Sequence, residues 1–301
     1  MIFGLTTDSA SIHAVADTVR TMTDTAGAAA AQASNPSNGG WIIKHVADSH
    51  TLDLLPFGEI HLPHIGPIQI GGLSIDMSIT KHVVMLWAAG IALLAVMNLV
   101  ARSYRKSLIP GRFAGAIEML ILFVRDDIVL PAMGEKGKKF LPYFLTLFFF
   151  ILFANLFGLI PYASTPTGNL NVTAALAMIA FFVIQIAGIM QYGLGGYFKG
   201  LVPPDIPIFV IPIMVIVEVL GLFTKPFALC VRLFANMIAG HIVIFSLIGL
   251  IFVFGTILIA PISIAFALFI ELLEILIATI QAYIFTILTA LFVGMAIHQE
   301  H

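Results

Sequence analysis

Apolar residues run along this chain in stretches too long for the core of a soluble domain. From His82 to Ala101 (HVVMLWAAGIALLAVMNLVA) no Asp, Glu, Lys or Arg interrupts twenty residues, about the length that spans a ~30 Å hydrocarbon layer. Phe140 to Pro161 and Asn171 to Gln191 are two further runs of this kind, and each predicts a membrane-crossing helix. Phe113 to Pro131 (FAGAIEMLILFVRDDIVLP) is also apolar but holds Glu118, Arg125, Asp126 and Asp127, too many charges for a lipid-facing span. The pattern there predicts an amphipathic helix lying at the interface.

The last hundred residues break the usual length rule. Pro207 to Gly255 is apolar for 49 positions, interrupted by Glu218, Lys225, Arg232 and His241. As one helix it would be about 73 Å long, more than twice the hydrocarbon thickness. Two upright helices with a turn at Lys225-Pro226 are one solution, because proline breaks a helix and disfavours helix at the residue before it. The other is a single kinked, steeply tilted helix, favoured because Phe227 to Ile238 (FALCVRLFANMI) continues without Gly or a turn cluster. Pro261 to His298 repeats the pattern with Glu271, Glu274 and Gln281 as its polar interior. The expected fold is an all-α membrane protein with about five crossings and one interfacial helix, the last two crossings forming a long tilted hairpin.

Charge sets the orientation. Residues 1 to 80 carry two basic residues, Arg20 and Lys44, against seven acidic ones, a balance of −5. Arg102, Arg105, Lys106 and Arg112 follow the first span at once, so the positive-inside rule places that end in the cytoplasm and the acidic N-terminal region outside. Lys136, Lys138 and Lys139 keep the interfacial segment inside, Tyr162 to Leu170 (YASTPTGNL) is an uncharged external loop, and Lys199 marks the next inner loop. Five crossings then put His301 in the cytoplasm. Met1 to Leu5 is far shorter than the apolar centre of a signal peptide, so the N-terminus is expected to be retained; Asp8, Asp17 and Asp24 argue against a mitochondrial transit peptide. Residues 1–40 read as a flexible polar extension, since GAAAAQASNPSNGG has too little bulk to bury; residues 41–81 read as an external region and 82–301 as the polytopic domain.

Composition narrows the classes. With 60% apolar and 10% charged residues and a net charge of −2, the chain lacks the basic surface that nucleic-acid binding requires. Its single cysteine, Cys230, cannot form an internal disulfide or a thiolate cluster and reads as a packing residue. His45, His50, His61 and His64 match no compact metal spacing and read as surface or interfacial residues. Nothing here calls for a cofactor.

The chemistry sits on the last two helices. A permanently charged Arg in hydrocarbon costs between ~2.5 and ~17 kcal/mol depending on the measure, so Arg232 needs a partner or a water-filled cavity. Because a guanidinium does not give up its proton at physiological pH, it serves as a fixed charge that favours the ionised form of a nearby carboxylate and repels passing protons. That is the behaviour of a gate. At ~100° per residue, Glu218, Lys225, Arg232 and Asn236 share one polar face, while His241 falls about 180° from Arg232 and would face a different neighbour. Glu274 and Gln281, seven apart, share a stripe of the other helix, with Glu271 one turn before Glu274. Histidine and buried carboxyls pass protons near neutral pH, so His241, Glu274 and Glu271 form a candidate water-linked proton path. Asn155, Asn169 and Asn171 read as caps and packing contacts.

KPFALCVRLFANMIAGH at Lys225 to His241 resembles the signature of subunit a of F-type ATP synthases. EIHLP at Glu59 to Pro63, NLFGLIPY at Asn155 to Tyr162, NLNVT at Asn169 to Thr173 and ATIQAYIFTIL at Ala278 to Leu288 resemble further segments of that family in the same order. The resemblance runs from about residue 41 to the C-terminus. It implies that Arg232 is the stator arginine facing a ring-borne carboxylate of subunit c, and that Glu218, Asn236 and Gln281 belong to two aqueous half-channels. The enterobacterial pattern has Glu where His241 stands and His where Glu274 stands; here the pair is exchanged, as in mitochondrial members. The resemblance also implies the subunit c ring, the subunit b peripheral stalk, the remaining synthase subunits and membrane lipid as partners, a bacterial inner membrane as location, and no catalytic residue in this chain, which has no GxxxxGK[ST] motif. A stand-alone transporter would also place charges near the membrane midplane, but it usually shows internal repeats, and the two halves of this chain show none.

Overall fold

The computed structural model describes residues 51–54, 58–63, 68–70, 73–75, 79–106, 111–160, 165–199, 211–255 and 257–298. The expected 1–40 extension and His45, His50 and His64 lie outside them. Before the first crossing, strands β1 (Thr51–Leu54) and β2 (Gly58–His61) pair antiparallel, as do β3 (Ile68–Ile70) and β4 (Leu73–Ile75). The sequence pattern, with apolar residues scattered among Pro and Gly, did not point to these two small hairpins. From Lys81 onward every regular element among the described residues is a helix.

Among the described residues, five helices are long and apolar enough to cross a membrane: α1 (Lys81–Lys106), α4 (Leu141–Gly158), α5 (Leu170–Lys199), α6 (Ile211–Phe254) and α7 (Ala260–Ile297). The chain is thus a multi-pass membrane protein. Between the first two crossings, α2 (Arg112–Phe123) runs through a π-helical turn at Val124–Val129 into the short α3 (Leu130–Met133). The extra residue of a π turn lets Val124, Ile128 and Val129 be buried together while Arg125 and Asp126 stay at the surface. Arg125 grips Asp126 through two hydrogen bonds of 2.7 and 2.9 Å, and that grip holds the Asp126 carboxyl below its ordinary range. This is the interfacial helix of the sequence pattern.

The continuous form of the long helix prevails. α6 runs for 44 residues with Pro226 inside it, about 66 Å, so it must tilt or lie partly along the membrane to be covered by a ~30 Å layer. α7 packs beside it for 38 residues. Every fourth residue of α7 from Ala278 is small and buried, namely Ala278, Ala282, Thr286, Ala290 and Gly294. This stripe lets α7 approach the rest of the bundle closely, as small residues do between membrane helices. Phe144, Phe148, Phe149 and Ile151 of α4 belong to one buried apolar cluster with Phe285 and Val293 of α7 and Leu229 and Leu233 of α6. The outward faces of α6 and α7 keep large apolar side chains exposed, Phe223, Phe227, Leu272 and Leu276 among them.

The 165–170 part of the expected loop folds inward. Thr165, Pro166 and Thr167 are buried in a single turn of 3₁₀ helix at Pro166–Gly168. An uncharged polar segment can enter an apolar bundle only when its polar groups find partners there. Asn169 then caps α5, its Oδ1 accepting from the Asn171 amide at 2.9 Å.

Candidate functional site

Arg232 is the 22nd of the 44 residues of α6, at its midpoint, and its side chain is exposed. Among the described residues it has no hydrogen bond or ion pair. Around it the exposed surface is apolar, with Phe227 at 68% and Val231 at 38% exposure. A guanidinium on such a face is incompletely partnered by the described residues.

The buried face of α6 explains where its polar residues go. Leu229, Leu233 and Met237 are each at most 2% exposed, and they centre that face roughly 60° from Asn236 on a helical projection. Asn236 flanks it on one side and His241 on the other, so both reach α7 from opposite edges. Asn236 Nδ2 donates to Gln281 Oε1 at 2.9 Å, and His241 Nδ1 meets Glu274 Oε1 at 2.6 Å. His241 thus lies about 180° from Arg232, as the helical projection has it, and meets α7 while Arg232 opens outward. The contact depends on Gly240, which lies between the two flanks and has no side chain. A Cβ there would stand 2.8 Å from Glu274 Oε1, so the bare backbone is what lets the Glu274 carboxyl enter between the helices and meet the imidazole. Arg232 lies farther from the buried face than Asn236, about 100° from its centre, and so opens outward.

His241 is the most connected of the candidate residues. Besides Glu274, its Nε2 lies 2.7 Å from Thr165 Oγ1 and 3.1 Å from the Gly158 carbonyl oxygen. Glu274 is 2% exposed, and its second oxygen, Oε2, is buried without a partner among the described residues. Glu271, one turn earlier and half-buried, is near enough to interact electrostatically with both Glu274 and His241. The sequence-predicted trio is thus brought together. Glu218 is half-buried and lies near the Tyr197 phenol, which donates to Gln185 Oε1. Fourteen residues of helix separate it from Arg232, about 21 Å along the axis. Lys225, expected on the polar stripe, instead lies over the Phe292 ring at 5.3 Å from its centroid.

Asn155 is more than a cap. It is wholly buried, accepts from the Thr167 hydroxyl at 2.7 Å and donates to the Ala278 carbonyl at 3.3 Å. Thr165, Thr167, Gly158 and Gly240 escaped the sequence reading, as did Gln185 and Tyr197. Thr165 and Thr167 were marked only by a run of uncharged polar residues, TPTGN, next to a span, and Gly158 and Gly240 only by lying inside the segments NLFGLIPY and KPFALCVRLFANMIAGH. Cys230 is buried beside the Thr173 hydroxyl at 3.4 Å, a packing position.

A family model described as the ATP synthase A chain matches residues 83–294. "ATP synthase subunit a" of Chloroherpeton thalassium is 53% identical over 263 residues, covering 86% of this chain and 77% of that one. "ATP synthase subunit a" of Myxococcus xanthus is 51% identical over 229 residues, 75% of each chain. "ATP synthase subunit a 2" of Prosthecochloris aestuarii is 47% identical over 279 residues, 91% of this chain and 84% of that one. A helical, multi-pass body with a charged midpoint on its longest crossing is the class that the fold and site define. The chain belongs to the ATP synthase A chain family.

Proposed function

We propose that this chain is the stator proton-channel subunit of a rotary F-type ATP synthase in a bacterial inner membrane. The observation that carries this reading is Arg232, exposed and without a partner among the described residues, at the midpoint of their longest helix, on an apolar face. A fixed positive charge so placed suits a partner that brings a carboxylate on an apolar surface of its own, as a ring of subunit c would. Such a carboxylate is held ionised while it faces Arg232 and takes up a proton only after leaving it. Arg232 thereby separates two water paths and blocks direct leakage between them.

His241, Glu274 and Glu271, with the Asn236–Gln281 pair nearby, form the outer path in this reading. Glu218 belongs to the inner one. Protons enter from outside, neutralise a ring carboxylate, travel with the turning ring and leave to the cytoplasm. Each proton crossing 100 mV releases about 2.3 kcal/mol, so several are coupled to each ATP. The chain itself makes no bond to nucleotide and acts without a cofactor. The acidic N-terminus lies outside and the C-terminus in the cytoplasm, residues 82–301 form the channel domain, and the peripheral stalk of subunit b holds it against the ring.

The test is the charge itself. In membranes carrying the assembled complex, Arg232→Ala is expected to abolish ATP-driven proton pumping and ATP synthesis. Arg232→Lys fails as well, since an ammonium can lose its proton when buried and lacks the planar fork. Coupled synthesis at the normal rate in either variant overturns the assignment.

A further inference from the structure

His241 meets three groups, and their chemistry restricts where its protons sit. The Gly158 carbonyl 3.1 Å from Nε2 can only accept a hydrogen bond. Nε2 therefore carries a hydrogen, which it shares with the Thr165 hydroxyl oxygen at 2.7 Å. With Nε2 protonated, Nδ1 of the neutral ring is a bare lone pair, and its 2.6 Å contact with Glu274 Oε1 needs one more proton between them. That proton rests either on Glu274, giving a neutral pair, or on Nδ1, giving an imidazolium and a carboxylate.

We propose that Thr165 is a positioning residue of this site: together with the Gly158 carbonyl, its hydroxyl holds a permanent proton on Nε2, so that His241 exchanges protons with Glu274 through Nδ1 alone. This rests on the reading of His241 and Glu274 as the proton-entry pair. The exchange moves a single proton between Oε1 and Nδ1 and breaks no other bond. Glu274 Oε2, buried and unpartnered among the described residues, is then the oxygen left to trade protons with water or with the ring. Thr165 is itself fixed on both sides. Its carbonyl accepts from His82 Nδ1 of α1 at 3.0 Å, and its side chain fills the space that a Cβ on Gly158 would occupy. The ionisable groups facing His241 are Glu274 and Glu271 of α7, with His82 beyond Thr165.

The experiment uses the intact synthase in membrane vesicles and reads ATP-driven proton pumping against pH. Thr165→Val keeps the shape and removes the hydroxyl; Thr165→Ser keeps the hydroxyl and removes the methyl. The Val variant is expected to pump more slowly by on the order of fivefold, the effect of one net hydrogen bond. The alkaline limb of its profile moves to lower pH, because the protonated ring has lost an acceptor and releases its proton sooner. The Ser variant follows the unmodified complex. If Val prevents assembly, Thr165→Ala, which only removes atoms, is read in the same way. A Val or Ala profile that superimposes on the original overturns the inference, and so does a Ser profile displaced as far as Val, which would mean packing. Glu274→Ala run in parallel separates the two levels: if it too pumps normally, the entry-site reading itself has failed.

Discussion

Asn236 and Gln281 share one hydrogen bond but not one environment. Gln281 is 2% exposed whereas Asn236 is at the surface, so the two ends of the bond are not equivalent. Asn236→Leu strands a buried amide, at a cost of about 1–3 kcal/mol. Gln281→Leu leaves an amide that can still meet water or a partner. Asn236→Leu is therefore expected to lower the thermal midpoint of the detergent-solubilised complex more than Gln281→Leu, by roughly 1 kcal/mol or more. Equal losses, or the reverse order, would show that the partner buries Asn236 as deeply as Gln281. That Arg232, His241 and Glu274 are candidates was legible in the sequence, because a charge or an imidazole in an apolar run is costly wherever it sits. That Thr165, Gly158 and Gly240 shape their surroundings was not legible. The contacts of His241 with Thr165 and Gly158 span 76 and 83 residues, and periodicity within one helix carries no information about them.

Element by element, α6 and α7 behave as one unit whose seam is polar at two levels, Asn236 with Gln281 and His241 with Glu274. The sequence pattern located both helices and their polar stripes, and the lack of a turn cluster after Pro226 foretold one long helix. What it lacked was the direction of the buried face, which the neighbours α4 and α5 decide. The seam also gives the exchanged pair a testable form. A single His241→Glu puts two acids together beside the Gly158 carbonyl, which then loses its donor; a single Glu274→His puts two imidazoles together. His241→Glu combined with Glu274→His restores one acid and one base, and is expected to retain more proton pumping than either single change. The coupling term of that double-mutant cycle, measured with assembly confirmed, is the readout. Additive losses would mean that the residues act independently, leaving Glu271 as the better entry carboxylate.

At the scale of the whole molecule, the proposed function has the five crossing helices of the described residues as its only crossings, an odd number that puts the two ends of the chain on opposite sides of the membrane. The count depends on α6 running on through Pro226; a turn there would make six crossings and bring both ends to one side. In the proposed orientation the basic residues Arg102 and Arg105 after α1, and Lys136, Lys138 and Lys139 before α4, face the cytoplasm, as the positive-inside rule expects. In a Cys230→Ala background, Arg20→Cys and Ala31→Cys are expected to react with an impermeant thiol reagent from the outer side, and His301→Cys only from the cytoplasmic side. Intact right-side-out cells and inverted vesicles give the two exposures. If both ends label from one side, the odd number of crossings is wrong, and α6 would have to be two upright helices joined at Pro226. If the ends label from opposite sides but in the reverse sense, the helix count stands and the charge rule fails for this chain. The outer path would then start from the other end of α6, with Glu218 rather than His241 and Glu274 at the proton entrance.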